Sequence, residues 1–320
     1  VLTAHQLEQR KGKITASLVP AICGLDPWKG PVQAYLEITG RKVEEAEGEN
    51  LAAELGSLLE EPIIRLTERK TGRKIRRRNI WRVLQDGPLA GKVGATLDCD
   101  YDVDTDYGEI KTNGVLSGFG INSGWGEEGT DEVPEKVHIQ IAAQMLVCPE
   151  KQLCIVPALV GRKNGLTIYK VHRNKDLVEA VGDRIARFWR DHIEPDVMPP
   201  LEQPADAEYI TELTRSLPVR TEPVAIDPAL CMEYDNFRAM EKAGEEGKKI
   251  AAAKIKLALN GAEIGTASGF KVSCKRPKDS LVFDRETFEA EQPELFSRYT
   301  VARPNSPRLL VTAEKKAVTT

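Results

Sequence analysis

The stretch Gly94-Ala-Thr-Leu-Asp98-Cys-Asp100-Tyr-Asp-Val-Asp-Thr-Asp-Tyr-Gly108-Glu109-Ile-Lys111 decides how this chain is read. Val93–Cys99 and Glu109–Thr112 have the make-up of strands, and the polar residues between them turn the chain back on itself. Side chains of a strand alternate between faces, so Glu109 and Lys111 point the same way and Ile110 packs opposite. Asp98 ends the preceding strand, which brings two carboxylates and an ammonium to one spot. Carboxylates so placed repel one another, and they coexist ionised when a hard divalent cation sits between them. Mg²⁺ suits oxygen ligands and keeps several waters, one of which can become the attacking hydroxide. Lys111 can orient that water or neutralise charge on a phosphate, as a phosphodiesterase centre requires. A solvated acidic hairpin is the competing reading, and spacing does not choose between the two. An EF-hand loop is discounted: Val103 stands where Gly is required, and the flanks are strand-like.

Working outward, Ser17–Ile22 and Pro31–Thr39 read as helices, the second with Pro31 in its first turn and Gly40 as its stop. Asn50–Thr71 is amphipathic, with Leu51, Leu55, Leu58, Leu59, Ile63 and Leu66 on one stripe and Gly72 closing it. Ile80–Leu84 is a further strand. Downstream lie a glycine-rich loop (Gly114–Gly129), a helix (Glu135–Cys148), strands at Gln152–Val160 and Leu166–Val171, and a helix at Leu177–Ile193. This alternation predicts an α/β fold. Prolines thicken between Pro195 and Pro228, which predicts a linker and a division into a core of residues 1–204 and an extension of residues 205–320. The extension reads as a helix (Leu230–Leu259), short strands at Glu263–Ile264, Phe270–Cys274 and Leu309–Thr312, and a helical piece at Asp284–Tyr299: a small α+β module.

The 320 residues carry 45 Lys+Arg against 49 Asp+Glu, a net charge of −4. That excludes a uniformly basic nucleic-acid coat protein, though not a local basic groove. No apolar stretch approaches the roughly 18 residues of a membrane span, and Val1–Lys13 has no apolar signal core. Six scattered cysteines without a CxxC pair favour buried thiols in a reducing compartment. A soluble, cytoplasmic protein with no membrane partner is expected. His138, His172 and His192 have no ligand spacing. Gly87-Pro-Leu-Ala-Gly91-Lys92 is one residue short of a P-loop, so no ATP is expected. Arg73-Lys-Ile-Arg76-Arg77-Arg78 is either a grip on duplex phosphates or a solvated face, and Trp125 either a wedge against a base or a loop anchor.

Several segments occur together in a telling order. Arg10-Lys-Gly-Lys-Ile-Thr15-Ala-Ser17 and Cys-Gly-Leu-Asp26-Pro-Trp28 come first, then Gly56-Ser-Leu-Leu-Glu60. Asp98 with Glu109-Ile-Lys111 follows, and then Val133-Pro134 with Ile139-Gln140-Ile-Ala-Ala-Gln144-Met145. Over roughly Gln9 to Pro200 the set resembles the YqaJ-type viral recombinases, the family that includes lambda exonuclease, within the PD-(D/E)XK nucleases. The resemblance implies a restriction-endonuclease-like core, a central mixed sheet flanked by helices. It implies that Asp98, Glu109 and the Ile110 carbonyl hold one or two Mg²⁺ ions (Mn²⁺ substituting), that Lys111 assists the nucleophilic water, and that Glu60 and Gln140 support the site. Arg10, Thr15 and Ser17 would form a pocket for the 5′-phosphate of the digested strand. One departure stands out: the family helix often reads Gln-x-Gln, and here Ala142 takes the second place with Gln144 two residues on.

The implied activity is a Mg²⁺-dependent 5′→3′ exonuclease acting on double-stranded DNA ends, releasing mononucleotides and leaving 3′ overhangs. A toroidal homotrimer and a phage single-strand annealing protein of the RecT type are the implied partners, inside a bacterial host. An endonuclease on the same fold and an inactive DNA-binding scaffold are the rivals. The phosphate pocket favours an end-specific enzyme over the first, and the intact Glu60, Asp98, Glu109 and Lys111 argue against the second.

Overall fold

The computed structural model describes residues 8–41, 51–113, 124–160, 165–215, 221–278, 281–301 and 309–311. The chain divides into two compact units, Val1–Ser216 and Leu217–Thr320.

In the first unit the elements run β1 (Ile14–Thr15), a 3₁₀ turn (Ala16–Leu18), α1 (Val19–Ile22), α2 (Pro31–Ile38), α3 (Leu51–Thr71), β2 (Ile75–Val83), β3 (Val93–Tyr101), β4 (Asp106–Gly108) and β5 (Lys111–Asn113). They continue with α4 (Glu135–Val147), β6 (Leu153–Val160), β7 (Leu166–His172), α5 (Lys175–Phe188) with a π turn over Trp189–Ile193, and α6 (Pro204–Arg215). The α/β class with a central mixed sheet and flanking helices is as expected. β3 pairs parallel with β1 and antiparallel with β2 and β4, while β6 pairs parallel with β4 and β5 and antiparallel with β7. The parallel step from β5 to β6 is bridged by α4, which packs on β3 and α5.

The core explains the apolar pattern. Val93, Ala95 and Leu97 of β3, Val156 and Ala158 of β6, and Ile141 and Met145 of α4 are buried together. Each fully buried large aliphatic contributes on the order of 1.5–3 kcal/mol relative to an exposed one. Alternation along β3 sends Thr96 and Asp98 to the side away from Leu97.

Two readings of the first unit need correction. Glu109–Thr112 is not one ladder: β4 ends at Gly108 and β5 begins at Lys111. Gly108 faces Ile155 and Lys111 faces Ala158 on β6, so the register holds across the break. Within it, the Glu109 N–H donates to the Ile155 carbonyl (3.1 Å), but the Ile110 N–H turns to Asp98 Oδ2 (2.7 Å). The supposed linker, for its part, contains a helix, α6. Its Asp206 is fully buried and accepts hydrogen bonds from the N–H groups of Val32 (3.0 Å) and Gln33 (2.9 Å), capping α2 from a distance. The first unit therefore takes in α6 and runs to Ser216.

The basic run leads into β2, its last four residues being the strand's first four, and lies beside the acidic hairpin. Arg73 pairs with Asp106, Arg76 with Asp104 (2.8 Å), Arg77 with Asp100 (2.7 Å) and Arg78 with Glu61 (2.6 Å). Lys151 reaches Asp100 from the other side (2.9 Å), both side chains being buried. Trp125 is buried 5.1 Å from the ring of Tyr169, a loop anchor; Gly114–Ser123 of the glycine-rich loop lie outside the described residues. All six cysteines are free, with Cys99, Cys148 and Cys154 buried; burial pushes Cys99 and Cys148 up to about 12.

The second unit holds α7 (Pro228–Leu259), a hairpin of β8 (Ile264–Ala267) and β9 (Phe270–Ser273), and the short helices α8 (Arg285–Glu291) and α9 (Pro293–Tyr299). Asp227 caps α7 through the Ala229 N–H, and Asn260 ends it with φ +43°. Pro293 splits the expected helix at Asp284–Tyr299, since proline starts a helix readily but cannot continue one. Leu309–Val311 form no strand, and Thr312 lies outside the described residues. Among the described residues, no helix is long and apolar enough to cross a membrane.

Candidate active site

A cleft of about 280 Å³ in the first unit is lined by Arg10, Thr15, Ser17, Glu60, Asp98, Glu109 and Gln140 together with Ser57, Asn79, Thr96 and Gln144. Seven of the nine residues singled out from sequence thus share one cavity. Lys111 and Ile110, the other two, are joined to it by hydrogen bonds.

At its centre is Glu109, 4% exposed. Its Oε1 accepts from Lys111 Nζ (2.7 Å) and Gln140 Nε2 (2.6 Å), and its Oε2 accepts from Gln144 Nε2 (2.5 Å). Gln140 closes a triangle, because its Oε1 also accepts from Lys111 Nζ (2.8 Å). The break in the β4–β5 ladder is what frees this corner: the chain keeps its path along β6 while Ile110 turns its N–H to Asp98. Burial alone would lower the Lys111 value, but the Glu109 charge and hydrogen bond outweigh it, and the ammonium is held above its ordinary range. Asp98 goes the other way from a free carboxylate. Burial first, and the Glu109 charge second, push it well above the usual range against the Ile110 N–H and the Lys111 charge.

Glu60 enters from α3. Gly56, one turn earlier, lies close to β5: an added Cβ there would stand 3.2 Å from Thr112 Oγ1. The spacing Gly56-x-x-x-Glu60 thus combines close approach with a carboxylate on the same face. Glu60 lies 3.6 Å from Arg78, whereas Glu61 turns away to Arg65 (2.9 Å) and Arg78.

At the opposite wall, Arg10 donates to Thr96 Oγ1 (2.5 Å) and stacks over Trp81, 5.3 Å from its centroid. Its Nε is buried with no hydrogen-bond partner among the described residues, and burial lowers its value. Thr15 Oγ1 and Ser17 Oγ are 3.0 Å apart where β1 passes into the 3₁₀ turn. A guanidinium and two hydroxyls converging on a cleft form a donor set for an anion.

Gln144, named in the sequence only as a departure from Gln-x-Gln, is a member of the site. It is 1% exposed, and besides Glu109 it reaches the Thr96 carbonyl (3.2 Å) and accepts from Tyr107 Oη (3.0 Å). The signal was present, since Gln140 and Gln144 are one helical turn apart on a helix otherwise apolar on that face.

The donors fit a hard divalent cation. Asp98, Glu109 and the Ile110 carbonyl offer oxygen only, the donor type such an ion prefers. Among the described residues no three side chains of His, Cys, Asp or Glu are grouped so as to hold a metal ion.

Residues 5–151 match the YqaJ-like viral recombinase domain, as the ordered motifs led us to expect. A Bacillus subtilis (strain 168) protein, uncharacterized protein YqaJ, is 24% identical over 300 residues, spanning 91% of this chain and 88% of that one. Among solved structures, an alkaline exonuclease from Laribacter hongkongensis is similar, with a TM-score of 0.44 and 19% identity over 67% of this chain and 97% of its own. A phage-related exonuclease from Haemophilus somnus 129PT gives a TM-score of 0.39 and 14% identity, over 63% and 96%.

Proposed function

With residues 5–151 matching a viral recombinase domain, we propose that the chain is a metal-dependent deoxyribonuclease, a 5′→3′ exonuclease on linear duplex DNA. The observation that carries this reading is the Lys111 ammonium, held between Glu109 Oε1 and Gln140 Oε1 beside Asp98. Asp98, Glu109 and the Ile110 carbonyl would hold Mg²⁺ or Mn²⁺, one ion or two, which when bound supplies an activated water and offsets charge on the scissile phosphate. Two of the three Lys111 protons are committed to Glu109 and Gln140, and the third is left for the water or a phosphate oxygen. Gln140 keeps the ammonium in place. Glu60 adds a second carboxylate wall. Arg10, Thr15 and Ser17 bind the 5′-phosphate, which makes the enzyme specific for open ends.

The product is a 3′ overhang for recombination by single-strand annealing. A ring-shaped homotrimer and a RecT-type annealing protein complete the reading, the ring accounting for DNA binding by a chain of net charge −4.

The test follows linear duplex DNA with 5′-phosphate, 5′-hydroxyl and covalently closed ends in Mg²⁺, alongside Lys111→Ala. Mononucleotides released from open ends, fastest with 5′-phosphate and lost in the variant, are the expected result. Cutting of closed circles would replace the exonuclease with an endonuclease. Binding without cleavage would leave a scaffold.

A further inference from the structure

α7 is 32 residues long, and none of its described side chains is buried. Leu230, Tyr234, Phe237, Gly244, Ala251 and Ile255, spaced by four, three, seven, seven and four residues, fall along one face. Phe237 is 64% exposed and Ile255 47%. In proteins helices gain most of their stability from packing such a stripe, and none of the described side chains of α7 is buried.

Charge says which surface. Between residues 228 and 246 lie five acids (Glu233, Asp235, Glu241, Glu245, Glu246) against Arg238 and Lys242. Between 247 and 259 lie four lysines (248, 249, 254, 256) and no acid. The helix dipole acts only within the terminal turns, so it does not account for Glu241, Glu245 and Glu246 in mid-helix. Within the stripe, Glu241 and Lys248 are the charged interruptions, placed on either side of the helix centre. Gly244 and Gly247 sit between them, and an added Cβ at either would meet nothing within 4 Å. Each costs about 1 kcal/mol in a helix relative to Ala, a cost that the close approach of another backbone offsets.

We propose that α7 is a self-association surface that pairs antiparallel with α7 of a second copy, crossing near Gly244. Antiparallel pairing lays the acidic half of each helix on the lysine half of the other and sets Glu241 near Lys248. Parallel pairing would stack like on like. The inference is independent of the nuclease reading: it concerns the contact between two α7 helices and not the assembly of the first unit.

The experiment measures the mass of the full chain by sedimentation or light scattering. Phe237→Glu and, separately, Glu241→Lys are expected to halve the mass with helix content by circular dichroism unchanged. Combining Glu241→Lys with Lys248→Glu is expected to restore the parent mass, which a misfolded variant would not do. A mass that neither single substitution changes overturns the proposal, and would mean that the stripe is satisfied within its own chain. A mass halved by Phe237→Glu alone overturns the antiparallel arrangement, because the charges would then not face one another.

Discussion

Gln144 Nε2 lies 2.5 Å from Glu109 Oε2, and the carbonyl of the same amide accepts from the buried Tyr107 hydroxyl. One side chain on α4 thus fixes the orientation of a carboxylate on the β4–β5 break and is itself oriented by β4. Glu109 has both oxygens engaged by amide or ammonium protons, so its direction is set before anything binds.

Removing that support should loosen Glu109 without removing it. Gln144→Ala is expected to weaken divalent-ion binding and nuclease activity by about 10–100-fold, the usual range for a residue that orients a metal ligand. Calorimetric titration of Mn²⁺ provides a readout apart from turnover. Unchanged Mn²⁺ affinity would mean that Lys111 and Gln140 suffice.

Asp98 should destabilise the metal-free protein at neutral pH. Its folded-state value is raised, first by burial and then by Glu109, so the folded chain holds this proton more tightly than the unfolded one. Stability from this group is present below the ordinary carboxylate range and is lost as pH climbs from there through the raised value. In the presence of a chelator, Asp98→Asn should melt above the parent at pH 7, with the gap closing in acid. Each kcal/mol corresponds to about 2–4 °C in a unit of this size. A lower melting temperature at pH 7 would show that Lys111 and the Ile110 N–H already balance the carboxylate.

The ion pairs of the basic run should differ in weight. Asp100 is buried between Arg77 and the equally buried Lys151, so Asp100→Ala strands a charge and should cost about 3–5 kcal/mol. Arg76 pairs with an almost fully exposed Asp104, and Arg76→Ala should cost less than about 1 kcal/mol. Urea unfolding of the two variants tests the ranking, which equal losses would refute.

Asp206→Ala should cost about 1–3 kcal/mol, because it leaves two buried N–H groups of α2 without acceptors. Gly30→Ala should act through the same contact, since the new Cβ would stand 2.2 Å from Asp206 Oδ2 and displace it. A chain cut after Gln203 should lose as much as Asp206→Ala. If cutting there leaves the melting temperature unchanged, α6 contributes nothing to the first unit.

How far the sequence reached can be traced residue by residue. Helices and strands with clear periodicity were legible, as was the convergence of Asp98, Glu109 and Lys111, because pleat and hairpin geometry are local. The ladder break at Glu109–Ile110 was not legible, since it depends on which carbonyls β6 presents. Arg73–Arg78 looked like a free basic patch, although an acidic run of matching length stood 20 residues on, and a hairpin brings such runs together. The role of Gln144 was not legible, because its burial and partners are set by β3 and β4. Asp206 had no local signal at all: its partners are 174 and 173 residues away.

That distance bears on how the chain is made. At about 5–20 residues per second, the ribosome needs on the order of ten seconds or more between Val32 and Asp206. Throughout that interval the start of α2 has no permanent acceptor for its amides. The cap on α2 is therefore completed near the end of synthesis of its unit, and every shorter nascent chain carries α2 without it.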